Sequence, residues 1–384
     1  MGAMAIDVGT ARKDTEGTGH VTHLNNAGSS LMARPVVDTV VAHLRREELI
    51  GGYEAAAEAT ECRENVHSSV AGLIGASPKE IAVLESGSAA WSLAVSCLRF
   101  SGRRVLLGRS EYWHNILVLR QLASRSNLEL VVVNDDEHGQ LDLEDLEYEI
   151  DRGDVALVAL THVPMGGAQV QLAAEVGRAC RAAGVPFVLD ACQSVGQIPL
   201  DVDDLGCDVL VGTGRKFLRG PRGTAFVCVR DRLLERWDPQ RHNGSTTGGA
   251  RALESWETSV ASQLGLGRAV DYALEIGLEP IQDRITALAE SMRHRLAELP
   301  AVQVHDRGIL RCGIVTFSVR GRTAEQVRAH LAGQQINVST APLPPCTAEE
   351  TLHPTGVGRT LAVRASVHYY NTEEEVGRLA ASLR

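Results

Sequence analysis

Lys216 stands in a polar turn between two runs rich in β-branched residues, Asp208–Val211 and Thr224–Val229. Such runs suit a buried pleated surface and read as strands. A lysine between buried strands is poorly solvated, which disfavours its ammonium form and makes the amine nucleophilic. That is the chemistry of a Schiff-base lysine. Arginine cannot replace it, because a guanidinium stays protonated. The 384-residue chain holds only three lysines, Lys13, Lys79 and Lys216, against a large excess of arginine. A lysine kept in so arginine-biased a chain hints at imine chemistry. The competing reading, a solvated lysine in a surface turn, is the usual fate of a loop lysine.

Other polar groups also follow apolar runs. Ser86–Ala89 come after the predicted strand Ile81–Leu84, and Tyr112–His114 after Val105–Leu107. His162 follows Val155–Thr161, and Asp190–Gln193 end Val185–Asp190. The Gly and Ser residues before the next helix would leave backbone N–H groups free for a phosphate at a positive dipole end. An ordinary N-cap explains those serines equally well. Helices are predicted over Val36–Leu49, Glu58–Ile74, Leu143–Ile150 and Leu172–Ala183. Short strands alternating with helices imply an α/β fold, a mostly parallel sheet with helices on both faces. Ligands bind such sheets beyond the C-terminal strand ends, where Lys216 and the other groups all fall.

A long helix, Leu264–Leu299, is expected to link this sheet to a smaller C-terminal α+β domain. That domain would hold strands Ile314–Val319, Ile336–Val338 and Leu361–Ser366, with helices Ala324–Gly333 and Glu373–Arg384. The expected organisation is a loose or tag-derived tail over 1–20, a large domain over 21–265 whose segment 21–50 packs with the small domain, and linker helix plus small domain over 266–384.

The net charge is −10 and no basic block occurs, which argues against nucleic acid as a partner. No apolar run approaches the roughly 20 residues that span a bilayer. The polar N-terminus lacks the apolar core of a signal peptide, so a cytoplasmic location is expected. The eight cysteines show no CxxC and no metal-like spacing, and read as free thiols in a reducing compartment. No strand is followed by GxGxxG, which sets a nicotinamide enzyme aside.

Residues 190–227, DACQSVGQIPLDVDDLGCDVLVGTGRKFLRGPRGTAFV, resemble the class V aminotransferase-fold enzymes, which use pyridoxal phosphate (PLP). A second match is RASVHYYNTEEEV at 364–376, and the resemblance covers about 22–384. It implies a fold-type I scaffold, a homodimer with sites at the subunit interface, and an amino-acid substrate. Lys216 would be the catalytic Schiff-base lysine and would move protons at the substrate Cα. Asp190 would pair with the pyridinium nitrogen, and Gln193 with the ring hydroxyl. Ser88, Ala89, Thr213 and Arg215 would hold the phosphate, with Thr258 lent by a neighbouring subunit. Tyr112 would stack on the ring, with Trp113 or His114 as alternatives if the register slips. His162 matches a strand end near the cofactor, and Arg364 the arginine that binds the substrate α-carboxylate.

The chain also departs from the family's cysteine desulfurases. Their nucleophilic cysteine sits on a loop corresponding to Ile336–Pro345, where Pro344 or a residue near it takes its place; Cys346 follows two prolines without the family's flanking residues. Val163–Gly167 also lacks the Asn found in desulfurases. The expectation is therefore a PLP-dependent carbon–sulfur lyase that eliminates the β-substituent of a cysteine S-conjugate to thiol, pyruvate and ammonia. Decarboxylation-coupled oxidative deamination and Cα epimerisation use the same machinery and stand as alternatives. A catalytically silent PLP-binding regulatory protein is the alternative from another class.

Overall fold

The computed structural model describes residues 6–239, 248–343, 348 and 360–384. The expectations placed on Pro344 and Cys346 lie outside the described residues. From the N-terminus run helix α1 (Val8–Lys13), strand β1 (Thr22–His23) and helices α2 (Arg34–Ile50), α3 (Gly52–Glu58) and α4 (Thr60–Ile74). The large sheet is built from β2 (Ile81–Leu84), β3 (Arg104–Leu107), β4 (Glu129–Val132), β5 (Val155–Thr161), β6 (Phe187–Asp190), β7 (Val209–Thr213) and β8 (Ala225–Val229). Between them lie α5 (Gly87–Ser96), α6 (Trp113–Ser126), α7 (Leu143–Asp151), α8 (Ala173–Ala183) and the short α9 (Val202–Leu205).

The strand order is β2-β8-β7-β6-β5-β3-β4. β8 runs antiparallel to both neighbours; the other pairs are parallel. β2 is thus parallel to β7, and six strands, β2, β3, β4, β5, β6 and β7, end at one edge of the sheet. Strands β6, β7 and β8 are buried throughout, as expected of strands covered on both faces. One apolar core, with Phe187 and Phe226, fills one face; a second, around Trp91 and Val209, fills the other. Fully burying a side chain such as Phe187 contributes about 2–3 kcal/mol.

The expected single helix over Leu264–Leu299 is two helices, α10 (Val260–Ile276) and α11 (Leu278–Ala297). They part at Gly277, whose φ of +95° is a backbone state open to glycine. The C-terminal region has strands β9 (Val302–Val304), β10 (Ile314–Val319), β11 (Ile336–Asn337), β12 (Ser339–Pro342) and β13 (Leu361–Ser366), with helix α12 (Ala324–Gly333) and a C-terminal helix, Glu373–Ala381. β12, β13, β10 and β9 form one antiparallel sheet, while β11 pairs with β1.

Residues 8–19 are not the loose tail that their polarity suggested. Asp7 caps α1, Ala11 and Thr15 are buried, and Arg12 pairs with Glu375 at 3.0 Å. The anchors are polar and distant in sequence, so local hydropathy does not reveal them. Ala11, Leu24 and Ala33 share a core with Phe317 and Leu379 of the C-terminal region.

Candidate active site

A cleft opens where β2, β5, β6 and β7 end. It is lined by Lys216, Asp190, Gln193, Tyr112, Ser88, Thr213 and Arg215, seven residues singled out from the sequence. The strand ends explain the convergence, since each side chain sits just after a buried run that fixes its position.

Asp190 ends β6 and is buried. Its Oδ2 accepts from Asn115 Nδ2 at 2.7 Å, and its Oδ1 from the Cys192 amide at 2.9 Å. Lys216 is half-buried in the turn after β7. Burial lowers its pKa; nearby Cys192 and Asp190 oppose that shift, while Arg215 and Arg364 reinforce it. The amine is thereby brought closer to its nucleophilic form. Gln193 donates through Nε2 to the Ala27 carbonyl at 3.2 Å, and its buried Oε1 has no protein partner. An acceptor left over in this way suits a ligand hydroxyl.

Ser86 caps α5 by accepting from the Ala89 amide at 3.1 Å. Ala89 therefore serves the cap, and Gly87 and Ser88 face the cleft. A Cβ on Gly87 would lie 2.6 Å from Cys192 Sγ, so the close approach of helix and strand end requires glycine here. Thr213 and Arg215 complete a cationic, hydroxyl-bearing corner, with Arg215 donating to the Gly28 carbonyl. The helix N-terminus and this corner fit a phosphate, and the fixed carboxylate fits a protonated ring nitrogen. The residues present thus fit PLP.

Tyr112 is the aromatic residue that lines the cleft. Trp113 is 44% exposed, and His114 meets Ser92 Oγ at 3.2 Å. His162 stands behind the lining, between Thr161 and Val163, with Nδ1 against Ser194 Oγ at 3.0 Å. Burial pushes its pKa down to about 4, which keeps the ring neutral. Arg364 on β13 is buried; Nη1 donates to the Met165 carbonyl at 2.8 Å, and Nε has no protein partner. Burial and the Arg215 guanidinium bring its pKa down to about 10.

Thr258 is not brought to this cleft. It lines a separate groove with Tyr53, Arg63 and Trp256, where its Oγ1 accepts from Gln263 Nε2 at 3.2 Å. Sequence reasoning missed the parts played by Asn115, Cys192 and Glu111. Asn115 lies three residues after Tyr112, one helical turn inward, and that spacing was the available signal. Glu111 accepts from the Thr161 amide and hydroxyl at 2.8 and 2.6 Å, yet burial pushes its pKa up to about 8. Among the described residues no group of His, Cys, Asp and Glu could hold a metal ion, and no helix is long and apolar enough to cross a membrane.

The family model described as aminotransferase class-V matches residues 22–379, and the chain belongs to that family. It is a fold-type I enzyme scaffold, and the family's cofactor is PLP, as the sequence motifs implied. A probable cysteine desulfurase of Methanothermobacter thermautotrophicus is 27% identical over 379 residues, spanning 94% of this chain and 93% of that protein. The apo structure of a cysteine desulfurase from Thermococcus onnurineus NA1 superposes with a TM-score of 0.87 at 27% identity, covering 99% of this chain and 98% of that one. A cystine C–S lyase in complex with its product, cysteine persulfide, shares the fold at a TM-score of 0.82 and 20% identity, covering 96% of this chain and 98% of that one.

Proposed function

We propose that the chain is a PLP-dependent carbon–sulfur lyase that eliminates the β-substituent of a cysteine S-conjugate. The observation that carries this reading is the half-buried Lys216 sharing one cleft with the doubly hydrogen-bonded carboxylate of Asp190. When bound, PLP supplies an aldehyde that condenses with amines and a ring that accepts the electron pair released at the substrate Cα.

Asp190 would hold positive charge on the ring nitrogen, and its two hydrogen bonds keep the carboxylate oriented for that task. Ser88, Thr213, Arg215 and the α5 N-terminus would anchor the phosphate. Tyr112 would cover the ring, and Gln193 Oε1 would accept from its hydroxyl. Arg364 binds the substrate carboxylate through the guanidinium edge that the Met165 carbonyl leaves free. Lys216 Nζ then takes the Cα proton. The Cα–H electrons become the Cα–Cβ double bond, and the Cβ–S pair leaves on sulfur as a thiolate, which is protonated. Water hydrolyses the released unsaturated amine to pyruvate and ammonia.

The desulfurase names of the relatives favour a second reading, in which sulfur is passed on as a persulfide and alanine remains. Pro344, which the resemblance puts at or near the position of the desulfurase cysteine, supports elimination instead. We further propose a homodimer whose groove around Thr258 faces the partner's cleft. Incubating the PLP-loaded protein with S-substituted cysteines and with L-cysteine separates the readings. Pyruvate and thiol in equal amounts support elimination; alanine with protein-bound persulfide supports the desulfurase; neither product overturns both.

A further inference from the structure

The turn that carries Lys216 is held from several sides. The Arg219 amide donates to the Lys216 carbonyl at 3.0 Å, and the Gly220 amide to the Gly214 carbonyl at 2.8 Å. Phe217 enters the core shared with the C-terminal region, whereas Leu218 enters a core of the large sheet. His368 Nε2 donates to the Phe217 carbonyl at 3.0 Å, while its Nδ1 accepts from the Tyr369 amide at 2.9 Å. A Cβ on Gly196 would lie 2.5 Å from the Phe217 carbonyl carbon, so the backbone is also pinned from that side.

Arg219 closes this turn at φ +61°, a region costly for a residue with a side chain. It is only 2% exposed. Its Nε donates to the Leu31 carbonyl at 2.8 Å, Nη1 to the Tyr369 hydroxyl at 2.5 Å and Nη2 to the Thr15 hydroxyl at 2.5 Å. The guanidinium carbon lies 4.6 Å from the Tyr370 ring centre, 5.1 Å from that of Tyr369 and 5.9 Å from that of Tyr272. All three acceptors are neutral, so the aromatic faces provide the compensation for a buried cation. Glycine would make the turn without the backbone strain or the buried charge. What arginine adds is a fork joining Thr15, Leu31 and Tyr369, from three distant segments, at a point three residues after the lysine.

We propose that Arg219 is a positioning residue for Lys216, fixing the direction and the dryness of its amine by tying their shared turn to the N-terminal segment and the small domain. The proposal rests on the reading of Lys216 as the cofactor lysine. Asp190, Cys192, Arg215 and Arg364 face the amine and set its titration; Arg219 acts by keeping it among them.

Three lysines in the whole chain make the test clean. Trace labelling of the full-length apoprotein with acetic anhydride across pH, read by peptide mass, gives a midpoint for Lys216 with the exposed Lys79 as internal reference. The PLP-loaded protein gives the pH midpoint of its visible absorbance and its kcat and KM. The variants are Arg219→Asn, which tolerates left-handed backbone, and Arg219→Lys, which keeps the charge but loses the fork. Both are expected to raise the Lys216 midpoint by about one pH unit, shift the absorbance midpoint, and lower kcat about 100-fold with KM nearly unchanged.

A fall in melting temperature with the Lys216 midpoint, absorbance midpoint and kcat of the parent overturns the proposal. So does full rescue by lysine. If Arg219→Asn does not fold, Thr15→Val removes a single acceptor, and an unmoved midpoint there is equally fatal. A parent protein that gives no visible band with PLP contradicts the cofactor reading instead, and the labelling midpoints still decide the positioning role.

Discussion

The cleft around Lys216 and the groove around Thr258 both gather aromatic, hydroxyl and arginine side chains, but they hold them differently. In and beside the cleft, Asp190 has two hydrogen-bond donors, Lys216 is half-buried, and Gln193 and Arg364 each keep one unpartnered polar atom. In the groove, Tyr53 is 73% and Trp256 70% exposed, with ring centres 5.9 Å apart. Its arginines already have protein partners: Arg251 pairs with Glu64, and Arg63 donates to Gln263. Buried groups with leftover valence suit a small ligand, because no reorganisation is needed when charge develops. Exposed aromatic rings over satisfied charges suit a broad partner surface. The contrast supports a cleft that does chemistry and a groove that meets another copy of the chain.

The largest effect that could break this contrast comes from Lys216→Ala. It should abolish the visible PLP band and reduce turnover to background; a variant that keeps both would remove the cleft from the chemistry. Asp190→Asn comes next, with kcat falling on the order of 10²–10³. Asn115→Ala, which loosens Asp190 without touching its charge, should cost on the order of ten- to a hundredfold. Equal losses in the two variants would argue that the charge itself is unimportant.

Glu111 sharpens the comparison through pH. Its pKa of about 8 in the folded protein lies above the ordinary 4.5, so the folded state keeps a proton that the unfolded state has lost. Stability from this group is present below about pH 4.5 and drains away as pH rises to about 8, by roughly 1.4 kcal/mol per unit. The melting temperature should therefore fall over that window, and Glu111→Gln should flatten the fall. An unchanged slope would mean that the carboxyl is better solvated than its surroundings imply.

Smaller effects are expected in the groove. Thr258→Ala should weaken PLP binding about tenfold, consistent with the loss of one hydrogen bond. Mixing it with Lys216→Ala chains should restore activity beyond that of either variant alone, because some mixed dimers pair an intact lysine with an intact threonine. No gain on mixing would place Thr258 outside the partner's site. Smallest of all, Lys79→Met removes only an exposed ion pair to Asp231 and should leave the melting temperature nearly unchanged, with the visible band intact.

The sheet was legible because β5, β6, β7 and β8 are short apolar runs that each bury both faces, and their ends announced Asp190 and Lys216. The break at Gly277 was not legible, since apolar spacing continues across it while one glycine turns the chain. The anchoring of residues 8–19 was hidden for a different reason: Arg12, Asp14 and Thr15 find their partners at Glu375, Tyr272 and Arg219, contacts no local pattern encodes. Asn115 was overlooked because its value depends on where α6 points, not on its neighbours in sequence.

The most direct test reduces the PLP-loaded protein with borohydride and locates the pyridoxyl group by peptide mass. The account predicts one adduct per chain, on Lys216, formed in the parent and in Lys79→Met and lost in Lys216→Ala. An adduct on Lys13 or Lys79, or a reduced protein carrying no pyridoxyl group, would contradict it.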